Sequence, residues 1–211
     1  MSTVDICETF TSIQGESTYA GALCFFIRLA ECNLRCSYCD TQHAYDPGTL
    51  RQIGDLVKEA GESGAAIVEI TGGEPLLQPA FAELATSLKD LSGKTILIET
   101  NGSRDISVVP DGIVTILDVK CPGSNESARM DFANLERLRT CDEVKFVLLD
   151  RADYEWSREL VLQHDLARRC AAALFSPVPG RLDASLLAGW IMDDELPVRL
   201  QVQLHKLLGL K

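Results

Sequence analysis

The sequence predicts an α/β fold, a parallel sheet of about six or seven strands joined by right-handed crossovers through helices. Two observations carry this. Short apolar runs of strand length alternate with segments of helical periodicity, and the end of nearly every such run is polar or glycine-rich. A parallel barrel would bring those ends to one rim, where such folds collect their chemistry.

The elements follow in order. Residues 6–13 read as an opening strand that runs into a polar turn, Gln14-Gly15-Glu16-Ser17. Residues 24–30 are a nearly continuous apolar run, the pattern of a strand buried on both faces. Residues 50–62 carry Ile53, Leu56, Val57 and Ala60 at helical spacing, with Gly61 and Gly64 as the stop. Residues 66–70 form a strand leading into Thr71-Gly72-Gly73-Glu74-Pro75, and Phe81, Leu84, Ala85 and Leu88 mark the next helix. Strands over 94–98 and 113–117 deliver Glu99-Thr100-Asn101 and Asp118-Val119-Lys120. A short helix over 131–139 and a strand over 144–149 come next. A helix over 153–169 presents Trp156, Leu160, Gln163 and Ala167 on one face. A strand over 172–175 ends in Ser176-Pro177-Val178-Pro179, a last helix covers 184–192, and residues 198–202 with a short tail close the chain. No repeat or linker divides the sequence, so one domain spanning residues 1–211 is expected.

The apolar fraction of 46% is ordinary for a globular protein. A net charge of −11 argues against a nucleic-acid partner, which would meet a basic stripe. No run approaches the roughly 18 apolar residues of a membrane span, and the first residues have no export signal, so a cytoplasmic enzyme with no membrane partner is expected. The eight cysteines then read as reduced thiols. Cys7, Cys24, Cys141 and Cys170 lie among apolar neighbours and are expected to be small core residues.

Cys32, Cys36 and Cys39 are different, because three thiols lie within eight residues directly after the strand over 24–30. Thiolates favour zinc or iron–sulfur clusters. A structural zinc site would need four donors, so three leave one coordination position for something else. Gly72-Gly73 would let backbone approach a ligand closely, and Glu74 could receive a ligand amine.

Cys32, Cys36, Tyr38 and Cys39, followed by Gly72-Gly73-Glu74-Pro75, resemble the radical S-adenosylmethionine enzymes. Within them, Ser12-Ile13-Gln14-Gly15-Glu16, residues 26–34, Cys39-Asp40-Thr41 and residues 98–103 resemble the 7-carboxy-7-deazaguanine synthase family. The resemblance implies a partial, incomplete parallel β/α barrel of about six strands. It also implies a [4Fe–4S] cluster on Cys32, Cys36 and Cys39, whose fourth iron binds S-adenosylmethionine. The implied reaction is ring contraction of 6-carboxy-5,6,7,8-tetrahydropterin to 7-carboxy-7-deazaguanine with loss of ammonia. It begins with a radical that takes hydrogen from substrate C6 and later returns it, so that S-adenosylmethionine is reused.

Carried over by position, the resemblance assigns Ile13, Gln14, Gly15, Glu16, Arg28, Thr71 and the terminal Lys211 to substrate. It assigns Gly73, Glu74, Asp118, Val119, Lys120, Ser176, Pro177, Val178 and Pro179 to S-adenosylmethionine, and Thr41 to Mg2+, with Asp40 behind it. A homodimer and an electron donor such as flavodoxin or ferredoxin are implied as partners. Ser17 stands where the family often has glycine, and the loop at Ser176 departs from its usual form. Cys121 reads as a packing residue. The alternatives are a radical activase that installs a glycyl radical on a partner protein, an iron–sulfur electron carrier, and a zinc-binding module completed by His43 or Cys121.

Overall fold

The structure, a computed structural model, describes residues 2–211. Strands β1 (Thr3–Ile13) and β2 (Leu23–Leu29) form a hairpin, and β3 (Thr49–Gln52) adds to the outer edge of β1. Helix α1 (Ile53–Glu62) leads to β4 (Ile67–Gly72), and α2 (Phe81–Lys89) to β5 (Thr95–Thr100) and then β6 (Val114–Val119). The single turn α3 (Asn134–Arg137) precedes β7 (Glu143–Leu148). Helices α4 (Arg151–Gln163) and α5 (Leu166–Arg169) precede β8 (Ala172–Pro177), and α6 (Ala184–Asp193) precedes β9 (Arg199–Leu200) and the tail helix α7 (Leu204–Leu208).

Among the described residues these strands make one sheet in the order β3-β1-β2-β4-β5-β6-β7-β8-β9. The six strands β2, β4, β5, β6, β7 and β8 are parallel throughout, as expected for a partial barrel, and β1 and β3 are antiparallel additions at one edge. Residues 50–52, predicted to begin a helix, belong instead to β3, where Thr49 to Gln52 pair with Ile6 to Thr3. Pairing against a free edge outweighs helix periodicity there.

Because side chains alternate along a strand, the sheet has two chemically different faces. Phe25, Ile27, Val68, Ile70, Ile96 and Ile98 pack under α1 and α2, while Leu117, Val144, Phe146 and Phe175 pack under α4 to α6. The opposite face holds a small apolar plug of Cys24, Phe26, Ile67, Leu97 and Ile116. Above that plug the inward residues become polar: Arg28, Glu69, Thr71, Glu99, Asp118 and Lys145. The fold thus separates an apolar support layer from a polar lumen.

The helix predicted over 153–169 is broken, with Asp165 in the left-handed region at φ 49°. Its buried face is Asp153, Tyr154, Ser157 and Val161 rather than the stripe through Trp156. Polar residues can occupy that face because they are satisfied: Asp153 accepts from Gly123 N and Leu149 N, and Tyr154 donates to Trp190 O or Asp194. Cys24, Cys121 and Cys170 are buried, but Cys7 is half-buried beside a bulge in β1 and Cys141 is exposed in the turn before β7, against expectation. Among the described residues no helix is long and apolar enough to cross a membrane.

Candidate active site

The lumen opens at the carboxyl ends of the parallel strands into a cavity of about 230 Å3. Its walls bring together residues far apart in sequence: Ile13 to Glu16 after β1, Arg28 on β2, Cys32 to Thr41 after β2, Thr71 to Gly73 after β4, Glu99 to Asn101 after β5, Asp118 and Lys120 at the end of β6, and the tail. All seven residues assigned to substrate line it, as do Cys32, Cys36, Cys39, Asp40, Thr41, Gly73, Asp118, Lys120, Val178 and Pro179.

Four assigned residues do not line it. Glu74 is fully buried, and its carboxylate accepts from Leu76 N and Thr100 Oγ1 on one oxygen and Asn101 N on the other. These bonds tie the glycine loop to the end of β5. Val119 faces the support layer, and Ser176 and Pro177 are buried in β8. Ser176 Oγ, Asp118 Oδ1 and Gln203 Oε1 are buried without a protein partner. Unpaired buried oxygens cost free energy, so they are the natural partners of a polar ligand.

The glycine loop approaches the cysteine segment through backbone alone. Gly73 N donates to Leu29 O and Glu74 N to Glu31 O, and a side chain on Gly73 would overlap the Glu31 carbonyl and the Cys32 side chain. The thiols are free, with Leu34 N at 3.4 Å and Asn101 Nδ2 at 3.8 Å from Cys32 Sγ. Such donors are what sulfurs of an iron–sulfur centre receive. Burial pushes the Cys36 thiol up to about 11 and the Cys32 thiol upward, so binding metal as thiolates would release protons. Among the described residues no three Cys, His, Asp or Glu side chains converge closely enough to hold one metal ion.

Lys145, projecting inward from β7 and 3% exposed, is the electrostatic centre of the lumen. Its ammonium reaches Glu16 at 2.7 Å, Asp118 at 3.3 Å and Glu99. Burial opposes its charge, but the three carboxylates outweigh burial and hold its pKa well above the ordinary lysine value. Lys145 for Glu16, and Lys120 followed by Lys145 for Asp118, overcome burial and hold both below the usual carboxylate range. Lys120 supplies a second cation to Asp118 at 2.8 Å. Arg28 donates from Nε to Glu8 at 3.0 Å, which leaves the rest of its guanidinium toward the cavity.

The tail closes the mouth. Gln203 donates to Glu16 at 2.7 Å, Leu204 N to Gly15 O at 2.9 Å, and Lys206 pairs with Asp40, whose other oxygen accepts from Thr41 Oγ1. Ser12 donates to Lys211 O at 2.9 Å. Gly15 has no room for a side chain, because a Cβ there would overlap the imidazole of His205. Gly15→Ala is therefore expected to lift the tail. Faster proteolytic cleavage after residue 200 at unchanged melting temperature is the measurement that checks it.

A family model described as the Radical SAM superfamily matches residues 27–118, the stretch from β2 to the end of β6. A relative from Koribacter versatilis named 7-carboxy-7-deazaguanine synthase is 42% identical, covering 97% of this chain and 96% of its own. The chain belongs to that family. A second member, from Chlorobaculum tepidum, is 40% identical over 96% of this chain and 93% of its own. The crystal structure of QueE from Escherichia coli matches with a TM-score of 0.79 over 96% of this chain and 95% of that one, at 23% identity, which bears on the fold.

Membership in the radical S-adenosylmethionine superfamily implies a [4Fe–4S] cluster and S-adenosylmethionine. The rim fits both, with three free thiols lining the cavity and an unpaired oxygen of Asp118 among its walls. Sequence reading missed Lys145 and Glu69, which sit inside strands otherwise read as continuous apolar runs. A charged residue flanked by apolar ones in Ile67-Val68-Glu69-Ile70 and Val144-Lys145-Phe146 was the available signal.

Proposed function

We propose that the chain converts 6-carboxy-5,6,7,8-tetrahydropterin to 7-carboxy-7-deazaguanine with loss of ammonia, a radical lyase step on the way to deazapurines such as queuosine. The observation that carries this is one cavity shared by the cysteine trio and the whole substrate set, Ile13 to Glu16, Arg28, Thr71 and Lys211. When bound, the cluster and S-adenosylmethionine supply the one-electron chemistry that removes hydrogen from the substrate.

The protein's residues do the rest. Cys32, Cys36 and Cys39 hold the cluster, while Gly73, Asp118, Lys120 and residues 176–179 hold S-adenosylmethionine. The free guanidinium edge of Arg28 pairs with the substrate carboxylate. The tail excludes water from the reacting ring. Thr41 binds Mg2+, and its hydrogen bond to Asp40 at 2.9 Å supports that reading. Removal of Mg2+ and Thr41→Ala should each slow turnover about tenfold with cluster absorbance unchanged. Turnover rates with and without chelator check this.

The whole chain, residues 1–211, acts as one domain in the cytoplasm, supported by the single continuous sheet. A low-potential donor such as flavodoxin or ferredoxin supplies the electron, which the chemistry requires from outside. Exposed Leu200 on β9 and exposed Leu207 and Leu208 on α7 support a homodimer. Anaerobic incubation with dithionite, S-adenosylmethionine and the tetrahydropterin tests the function. Deazaguanine product is expected, and 5′-deoxyadenosine without that product would contradict it.

A further inference from the structure

Five acidic residues line the cavity, and among the described residues only one of them lacks a cation, Asp40 at the mouth being paired with Lys206. Lys145 serves Glu16, Glu99 and Asp118, Lys120 also serves Asp118, and Arg28 is turned to Glu8. Glu69, one layer deeper on β4, is 3% exposed and receives a single hydrogen bond, from Gln14 Nε2 to its Oε2. Among the described residues no protein donor reaches its Oε1, and the atom is not sealed away from the cavity. Beside it the floor is flat and apolar, formed by Phe26 and Ile116, with Phe10 stacked on Phe26 at 4.9 Å. A buried carboxyl with open acceptor positions beside an apolar floor suits a planar ring that presents N–H donors at its edge.

We propose that Glu69 reads the 2-amino-4-oxopyrimidine edge of the substrate, accepting from its ring N–H and its amino group and releasing a proton to solvent as the ring arrives. The inference rests on the pterin reading above and goes beyond it by naming the group that distinguishes an aminopyrimidine from its oxo analogue. Burial, then the nearby charge of Glu99, pushes the Glu69 carboxyl up to about 8, with Glu16 adding to the rise and Lys145 opposing it. Cys24, below it on β2, is a neutral thiol whose pKa burial raises. Glu69 therefore takes up a proton more readily than an ordinary glutamate before the ring binds. Two donors from the ring then stabilise the carboxylate and replace that proton.

The test is calorimetry on the cluster-reconstituted protein with S-adenosylmethionine and Mg2+, at pH 7, in two buffers of different ionisation enthalpy. The probes are 6-carboxypterin, an unreactive oxidised form of the substrate, and 6-carboxylumazine, in which oxygen replaces the 2-amino group. Release of close to one proton per 6-carboxypterin bound is expected, with binding of the lumazine at least about tenfold weaker. Glu69→Gln keeps an oxygen for Gln14 and should bind both probes within about threefold of each other, with no proton released.

Wild-type protein that releases no proton would overturn the proposal without needing the variant to fold. So would a Glu69→Gln protein that keeps both the release and the discrimination; either result leaves the synthase reading intact if deazaguanine still forms. Wild-type protein that binds neither probe would overturn the pterin reading and this inference together.

Discussion

Replacing Cys36 with alanine is expected to abolish turnover, by at least about a thousandfold, because the cofactor supplies chemistry that no side chain can replace. Cys36 is the middle thiol of the trio and lines the cavity beside Cys32 and Cys39. Losing it leaves two protein thiols for a cluster that already relies on a ligand from outside for its fourth iron. The variant should assemble less iron and sulfide per chain and lose the cluster's visible absorbance, while far-ultraviolet circular dichroism stays native. Cys121→Ala is the matched control. That thiol is buried and hydrogen-bonded to Ser157 at 3.3 Å, away from the cavity, so its removal should cost packing and leave cluster content intact.

The second large effect is on stability. Lys145→Met is expected to destabilise the fold by about 3–5 kcal/mol at neutral pH, because it leaves buried charge uncompensated. Glu16 and Glu99 lose their lysine, while Asp118 keeps Lys120. The pH dependence follows from the directions of the shifts. In the native protein Glu16 and Asp118 are held below their unfolded values. Their stabilisation is therefore complete at neutral pH and is lost as pH falls through the lowered folded values.

In Lys145→Met, burial without a cation raises the folded value of Glu16 above the unfolded one. Stability of the variant should then decline as pH rises from the acid range toward neutrality. The gap between the two proteins is largest near pH 7 and narrows in acid, which urea midpoints across that range would measure. A gap that does not change with pH would show that Lys145 matters through packing alone.

The parallel strands and the rim were legible because each apolar run gives way to polar or glycine residues, as at Thr71-Gly72-Gly73 and Asp118-Val119-Lys120. The cysteine trio was legible from spacing within one loop. The lumen was not, because Glu69, Lys145 and Glu16 meet only after three separate segments are brought together. A buried lysine inside an apolar run looks like noise until its three carboxylates are in place. The anchoring of Glu74 was hidden for a related reason: a glutamate after two glycines suggests a ligand contact, and its bonds to Leu76, Thr100 and Asn101 exist only once β4 and β5 lie side by side. Edge strand β3 was hidden because helical spacing in Ile53, Leu56 and Ala60 extends naturally backward over Leu50.

The most direct test of a cavity that joins the cluster to the pterin uses tetrahydropterin carrying deuterium at C6. During turnover, deuterium should appear in the recovered S-adenosylmethionine, whose amount stays constant while 7-carboxy-7-deazaguanine accumulates. Product formed with no deuterium in S-adenosylmethionine or 5′-deoxyadenosine would contradict hydrogen transfer between the two ligands of this site.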